Sequence, residues 1–267
     1  MVQRVLPFLR RTTWCLLVLC VAGMAHAQPT PAPQTTWYLA EGATSAFFEE
    51  DVLVANPNAT AADIEITFLR ADGSAPLKHA FTMPATSRRT VRVNAIAGLE
   101  NSGAVSAIVT CTNGLGIVVE RTMYWANGAK RGGHNAPAVA APATKWYLAE
   151  GATGTFDTFV LIANPDAMKS ADVQVTFLKE DGQTVAYPAF SLPPNQRVTI
   201  WVNYQVPGLE ATSFSTVVES TNGTELFVER AMYFGGTSSL TKPWEAGHGS
   251  AAVTSPATEW FFGEGYT

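Results

Sequence analysis

Trp37-Tyr38-Leu39-Ala40-Glu41-Gly42-Ala43-Thr44 returns as Trp146-Tyr147-Leu148-Ala149-Glu150-Gly151-Ala152-Thr153, a displacement of 109 residues. Ala55-Asn56-Pro57 returns as Ala163-Asn164-Pro165, and Thr67-Phe68-Leu69 with Asp72-Gly73 returns as Thr176-Phe177-Leu178 with Asp181-Gly182. Further along, Thr112-Asn113-Gly114, Val119-Glu120-Arg121 and Met123-Tyr124 match Thr221-Asn222-Gly223, Val228-Glu229-Arg230 and Met232-Tyr233. Ordered agreement over a whole stretch of this length is a duplication, and it sets the architecture before any local pattern is read. Trp260-Phe261-Phe262-Gly263-Glu264-Gly265 begins a third copy.

Within a copy the apolar period is two. Ile64, Ile66 and Phe68 alternate with Asp63, Glu65 and Thr67, and Val91 and Val93 alternate with Thr90, Arg92 and Asn94. Such alternation predicts strands with one buried and one wet face. Seven strands are expected in the first copy: 37–39, 52–55, 63–69, 78–83, 88–93, 105–111 and 117–124. Asn113-Gly114 between the last two predicts a hairpin on a type I′ turn. Seven short strands with no amphipathic helix fit an all-β fold of tandem immunoglobulin-like β-sandwich repeats. A propeller with two blades per copy is the alternative, and it needs more copies to close.

The expected organisation is a leader at 1–27, a Pro-rich lead-in at 28–36, and a first repeat at 37–133. A linker at 134–145, a second repeat at 146–247, a linker at 248–258 and the opening strand of a third repeat at 259–267 complete it. The leader carries Arg4, Arg10 and Arg11, an apolar run from Trp14 to Met24, and Ala25-His26-Ala27 as a cleavage signal. Those features predict a secretory signal peptide cut after Ala27, and hence a secreted or cell-surface protein. Acylation at Cys20 is the lesser alternative, because Leu17-Val18-Leu19 places a bulky leucine where such signals carry a small residue. No later stretch is apolar for long enough to make a transmembrane helix. Losing the leader leaves 14 basic against 22 acidic side chains, a net charge of −8 that disfavours nucleic acid and anionic membranes as partners. Cys15 and Cys20 leave with the leader, so Cys111 has no internal disulfide partner and is expected to be a buried thiol.

The search for chemistry yields few candidates. The sequence has no G-x-S-x-G, H-E-x-x-H, Walker A, G-x-G-x-x-G or paired C-x-x-C motif, so no catalytic, cofactor-binding or metal-ligating residue is assigned. His134 and His248 occupy equivalent places without a second ligand at metal-site spacing. Glu41, Glu150 and Glu264 recur after an aromatic pair, and Glu120-Arg121 recurs as Glu229-Arg230. Sugar or calcium binding is one reading of these acids. The favoured one is structural, a strand-end glutamate paired with an arginine, with only one member of each adjacent pair facing inward. Glu49-Glu50-Asp51 reads as a solvated loop rather than a cation site. Trp125, Trp201 and Trp244 are the candidate ligand-contacting aromatics, against a reading of all the tryptophans as core.

On these residues the chain resembles the W-Y-L-A-E-G-A-T repeats of large exported bacterial surface proteins, a family without assigned function. The likeness rests on Trp37 to Thr44, Ala55-Asn56-Pro57, Thr112-Asn113-Gly114, Val119-Glu120-Arg121 and Met123-Tyr124, and on their second-copy counterparts. It implies extracellular β-sandwich arrays without established catalysis. Family arrays usually carry more copies than are seen here. The expected function is therefore a non-catalytic structural or adhesive module, with extracellular glycans or other surface proteins as partners. A carbohydrate-binding module serving a separate catalytic protein is the alternative, and it would require exposed aromatics on one face. An enzyme ranks third and would require a deep acid-lined pocket in one copy.

Overall fold

The structure is a computed structural model and describes residues 32–127, 130–234 and 244–263, together with Gly265. The expected leader, residues 28–31 of the lead-in, and Glu264 lie outside the described residues. In the first repeat the strands are β1 (Thr36–Leu39), β2 (Ala43–Thr44), β3 (Phe48–Asn56), β4 (Ala62–Arg70), β5 (Leu77–Met83), β6 (Ser87–Arg92), β7 (Gly103–Cys111), β8 (Val118–Asn127) and β9 (Lys130–Pro137). The second repeat supplies β10 (Lys145–Leu148), β11 (Phe156–Ala163), β12 (Ala171–Lys179), β13 (Thr184–Leu192), β14 (Arg197–Trp201), β15 (Phe214–Ser220), β16 (Phe227–Phe234) and β17 (Ala246–Ala251).

The protein is all-β, built from antiparallel sheets. One sheet of the first repeat runs β1-β7-β4-β5, with β2 also on β7, and the other runs β6-β3-β8-β9. The second repeat gives β10-β15-β12-β13 and β14-β11-β16-β17, the same order position for position. The alternation legible in the sequence builds the core. Ile64, Ile66 and Phe68 of β4 meet Val52 and Val54 of β3 and Val105, Ala107 and Val109 of β7 in one buried cluster. Full burial of each larger side chain contributes about 1.5–3 kcal/mol. Without a disulfide these contacts hold the repeat together. Cys111 is buried and free, with its Sγ 3.0 Å from Asn113 Oδ1.

All seven strands expected in the first repeat are present, but four local readings change. The hairpin at Asn113-Gly114 does not form: β7 pairs with β1 and β4, whereas β8 pairs with β3 and β9. The turn instead carries the chain from one sheet to the other. Gly114 has φ +80° while Asn113 is not in the left-handed region, so the turn is not type I′. Asn113 is tied to the start of β4, accepting from the Asp63 N–H at 3.1 Å and donating to the Ala61 carbonyl at 2.9 Å. The segment read as a linker from His134 begins within β9, so residues 134–137 belong to the first repeat's sheet. Its continuation still touches home, because Val139 bridges Tyr38 as Val253 bridges Tyr147.

Glu49-Glu50-Asp51 lies in β3 rather than in a solvated loop, and Glu50 is fully buried. Residues 259–263, expected as the first strand of a third repeat, form no strand, and Trp260, Phe261 and Phe262 are exposed. The equivalent strands β1 and β10 each pair with a β7-type strand about seventy residues downstream in their own repeat. Among the described residues no helix is long and apolar enough to cross a membrane.

Candidate functional site

Alternation along β8 and β16 turns adjacent Glu and Arg to opposite faces. In both repeats the arginine points inward, between the two sheets, and its guanidinium emerges at one end of the repeat beside a backbone carbonyl. Arg121 donates to the Glu41 carbonyl at 3.0 Å, and Arg230 donates to the Glu150 carbonyl at 2.7 Å. The glutamate points outward from the sheet. Glu120 is exposed there, but Glu229 is sealed, because the outer face of β14-β11-β16-β17 lies against the end of the first repeat.

That contact is a buried ionic joint. Arg121 lies 2.6 Å from Glu41 Oε2 and 2.5 Å from Glu229 Oε2, so one guanidinium bridges carboxylates of two repeats. The Glu41 N–H donates to the same Glu229 oxygen at 3.1 Å. Tyr233 donates its hydroxyl to Glu41 Oε1 at 2.9 Å, and His134 Nε2 lies 3.1 Å from that hydroxyl. Arg197 crosses from the second repeat to the Ala40 carbonyl at 3.0 Å and to Ser106 Oγ at 3.2 Å. Around these groups Trp125 donates to the Trp244 carbonyl at 2.9 Å, and Trp244 stacks on Tyr233 with centroids 4.5 Å apart. Gly247 and Gly249 of β17 permit the close approach. A Cβ on Gly249 would stand 2.9 Å from His134 Nδ1 and 3.1 Å from Arg121 Nη2.

Charge in the joint is nearly balanced. Burial raises the Glu50 carboxyl to about 8, with Arg121 lowering and Glu41 raising it, and neither of its oxygens has a hydrogen-bond partner among the described residues. Burial also acts to raise Glu41, but Arg121, His134 and Tyr233 outweigh it and hold the carboxyl at about 2. Arg121 is held charged against burial by Glu229 and Glu41, while burial lowers Arg197 only to about 10. Two carboxyl groups, Glu41 and Glu229, thus face two guanidiniums; burial raises Glu229 against the pull of Arg121, and near neutral pH Glu50 is protonated. A carboxyl shifted this far is a common mark of an acid–base site. Here the remaining space is a cavity of about 150 Å³ lined largely by apolar atoms of Phe48, Met123, Phe159, Leu161 and Trp244. Glu41, Arg121, Glu229 and Tyr233 bond to one another across the two repeats, whereas the Glu50 oxygens and Glu229 Oε1 have no hydrogen-bond partner among the described residues.

The joint absorbs many of the residues singled out in the sequence. Glu41, Arg121 and Glu229 meet in it. Glu150 and Arg230 form the corresponding pair at the far end of the second repeat, 2.9 Å apart, with the Glu150 side chain 67% exposed. His134 contacts Glu41 and Tyr233, and His248 Nδ1 lies 2.8 Å from Arg230. The aromatics do not form an open platform. Trp125 is buried, so it offers no ring face to a ligand, and Trp244 is half-buried with its indole N–H on Asp157 Oδ2 at 2.7 Å. Trp201 is half-buried between Phe159 and Tyr204. Arg197 and Ser106 were not singled out, Tyr233 was quoted only within the recurring Met-Tyr pair, and Glu50 only within an acidic run read as a solvated loop. Arg197, Tyr233 and Ser106 recur as Arg88, Tyr124 and Ser215, a repetition of polar residues that the sequence does display.

No curated protein matches the chain. Two solved structures are weakly similar. A crystal structure of Thermotoga maritima 1070 is 15% identical over 42% of this chain and 97% of that one, with a TM-score of 0.37. The CupB6 tip adhesin from Pseudomonas aeruginosa is 8% identical over 83% of this chain and 89% of that one, with a TM-score of 0.18. Residues 22–187, which include the whole first repeat and the opening strands of the second, match a family of unknown function, and the chain accordingly belongs to that family, DUF5719.

Proposed function

We propose that this protein is a non-catalytic structural or adhesive module of the bacterial cell surface, made of immunoglobulin-like sandwiches of the W-Y-L-A-E-G-A-T type and exported through a leader cut after Ala27. The observation that carries the reading is the Arg121 bridge between Glu41 and Glu229. It locks two repeats of one chain end to face, as a stiff spacer or a presenting stalk requires. A flexible tether would gain nothing from burying charges whose desolvation is costly. Of the recurring acids, Glu41 and Glu229 are committed to the joint, while Glu150 pairs with Arg230 and Glu120 stands exposed.

The test is fractionation of the producing cells with an antibody to the chain, together with a binding screen of the purified protein on glycan arrays and extracellular polysaccharides. The reading expects the chain in the envelope or the medium, trimmed at Ala27, and no saturable glycan binding. A cytoplasmic, untrimmed chain would overturn the surface assignment. Saturable glycan binding lost on Trp201→Ala would replace the spacer with a carbohydrate-binding module.

A further inference from the structure

Each repeat carries both halves of the joint, yet the structure uses each half only once. The end of repeat 1 is covered by the outer face of repeat 2, whereas the end of repeat 2 and the outer face of repeat 1 are open. At the open end Phe234 is 45% exposed where its counterpart Trp125 is buried, and on the open face Val118 and Tyr124 are 50% and 47% exposed where Phe227 and Tyr233 are buried. The open end also has a groove of about 540 Å³ lined by Glu150, Gly151, Ala152, Phe156, Ser213 and Met232. Their register equivalents Glu41, Gly42, Ala43, Phe48, Ala104 and Met123 line the smaller cavity, about 150 Å³, of the occupied joint.

We infer that a second copy of this chain docks head to tail, the outer face of its repeat 1 seating on the open end of repeat 2. The polar partners are present on both sides. Glu120 stands where Glu229 does and would meet Arg230 and the Glu150 N–H. Arg88, in the place of Arg197, finds the Ala149 carbonyl and Ser215, whose Oγ already donates to that carbonyl at 2.9 Å as Ser106 does to Ala40 at 2.5 Å. Tyr124 is placed for Glu150 and His248 as Tyr233 is for Glu41 and His134. Thr158 replaces Glu50, so this second joint has two carboxylates and two guanidiniums with no unpartnered acid between them.

The open face is less apolar than its occupied counterpart: Asp51 and Arg92 stand where Phe159 and Trp201 do. Asn135 stands where Gly249 does and must turn the exposed His248 ring aside. The association is therefore weaker than the joint within the chain. Unlike faces meet, so the contact is open-ended and propagates instead of closing at a symmetric dimer.

Sedimentation velocity of the processed chain over a concentration series tests this, with Glu120→Arg on the face, Glu150→Arg at the end, and an equimolar mixture of the two. The expected result is a mass that rises with concentration beyond the dimer and a weakening of at least about tenfold in either variant. The mixture should form a complex that stops at one copy of each, since only one competent face and one competent end remain. That rescue also shows that both variants are folded. A wild-type chain monomeric at every concentration, association unmoved by both variants, or variants that fail to rescue each other would overturn the inference. These outcomes do not depend on where the chain resides or on whether it binds glycans.

Discussion

Arg121 and Glu229, 108 positions apart in sequence, sit 2.5 Å from each other with both side chains sealed from solvent. Removing one partner of such a pair strands a buried charge. We expect Arg121→Leu to lower the unfolding free energy by about 3–5 kcal/mol. Breaking the exposed Lys78–Glu65 pair with Lys78→Ala should cost no more than about 1 kcal/mol. Urea denaturation of the two variants under one buffer checks the contrast.

Glu50 gives the joint a pH dependence of definite sign. Its folded carboxyl is raised to about 8 from an ordinary 4.5, so between those values the folded state holds a proton that the unfolded state has released. Its contribution to stability is fully present below about pH 4.5 and is lost as pH rises through about 8. Glu50→Gln should therefore flatten the thermal midpoint between pH 5 and pH 8.5 and raise it most at the alkaline end. A wild-type midpoint that climbs across this window would show Glu50 to be ionised in the fold.

Glu41 works in the opposite direction. Held at about 2, it stabilises the fold at all pH values above its ordinary range and loses that contribution as pH falls towards 2. Glu41→Gln should move the acid-unfolding midpoint upward in a circular-dichroism titration, and, because the Glu41 charge helps to raise Glu50, it should move the alkaline limb to lower pH.

Gly249 admits the close packing of β17 on the first repeat. Gly249→Val should cost about 1–3 kcal/mol, by forcing atoms into His134 and Arg121. The same substitution at Asn135, its exposed counterpart, should be nearly neutral. Differential scanning calorimetry on the two variants distinguishes them, and faster proteolysis in residues 138–144 of the Gly249 variant would show the joint opening.

Cys111 and Ser220 do the same work in the two repeats, with Sγ and Oγ at 3.0 and 3.1 Å from the Oδ1 of Asn113 and Asn222. Cys111→Ser should change stability by under about 1 kcal/mol. Native Cys111 should react with a maleimide only when the chain unfolds.

The duplication, the strands of the first repeat and the opposite facing of adjacent Glu and Arg were all legible in the sequence, though not which of the two points inward. They depend on periods of 109 and two, which neighbouring residues reveal without help from distant ones. The Asn113-Gly114 turn was misread because its residues suit a hairpin as well as a crossing between sheets. What separates the two is the anchoring of Asn113 to Ala61 and Asp63, some fifty residues away. β9 hides because Lys130–Pro137 carries glycines and no alternation, its pairing being set by β8. Glu50 looked solvated because a run of three acids is polar in composition. It is buried because it shares the inward face of β3 with Val52 and Val54.

The outward glutamate and inward arginine of Val-Glu-Arg sit side by side on one strand, so any stretch of gene long enough to encode a repeat encodes a plug and its socket together. Copying that stretch once supplies both ionic partners of a joint, and changes such as Gly249 for Asn135 and Phe159 for Asp51 improve the fit around them. A lineage can therefore lengthen such a protein by duplication, each new segment arriving with its ionic partners already in place.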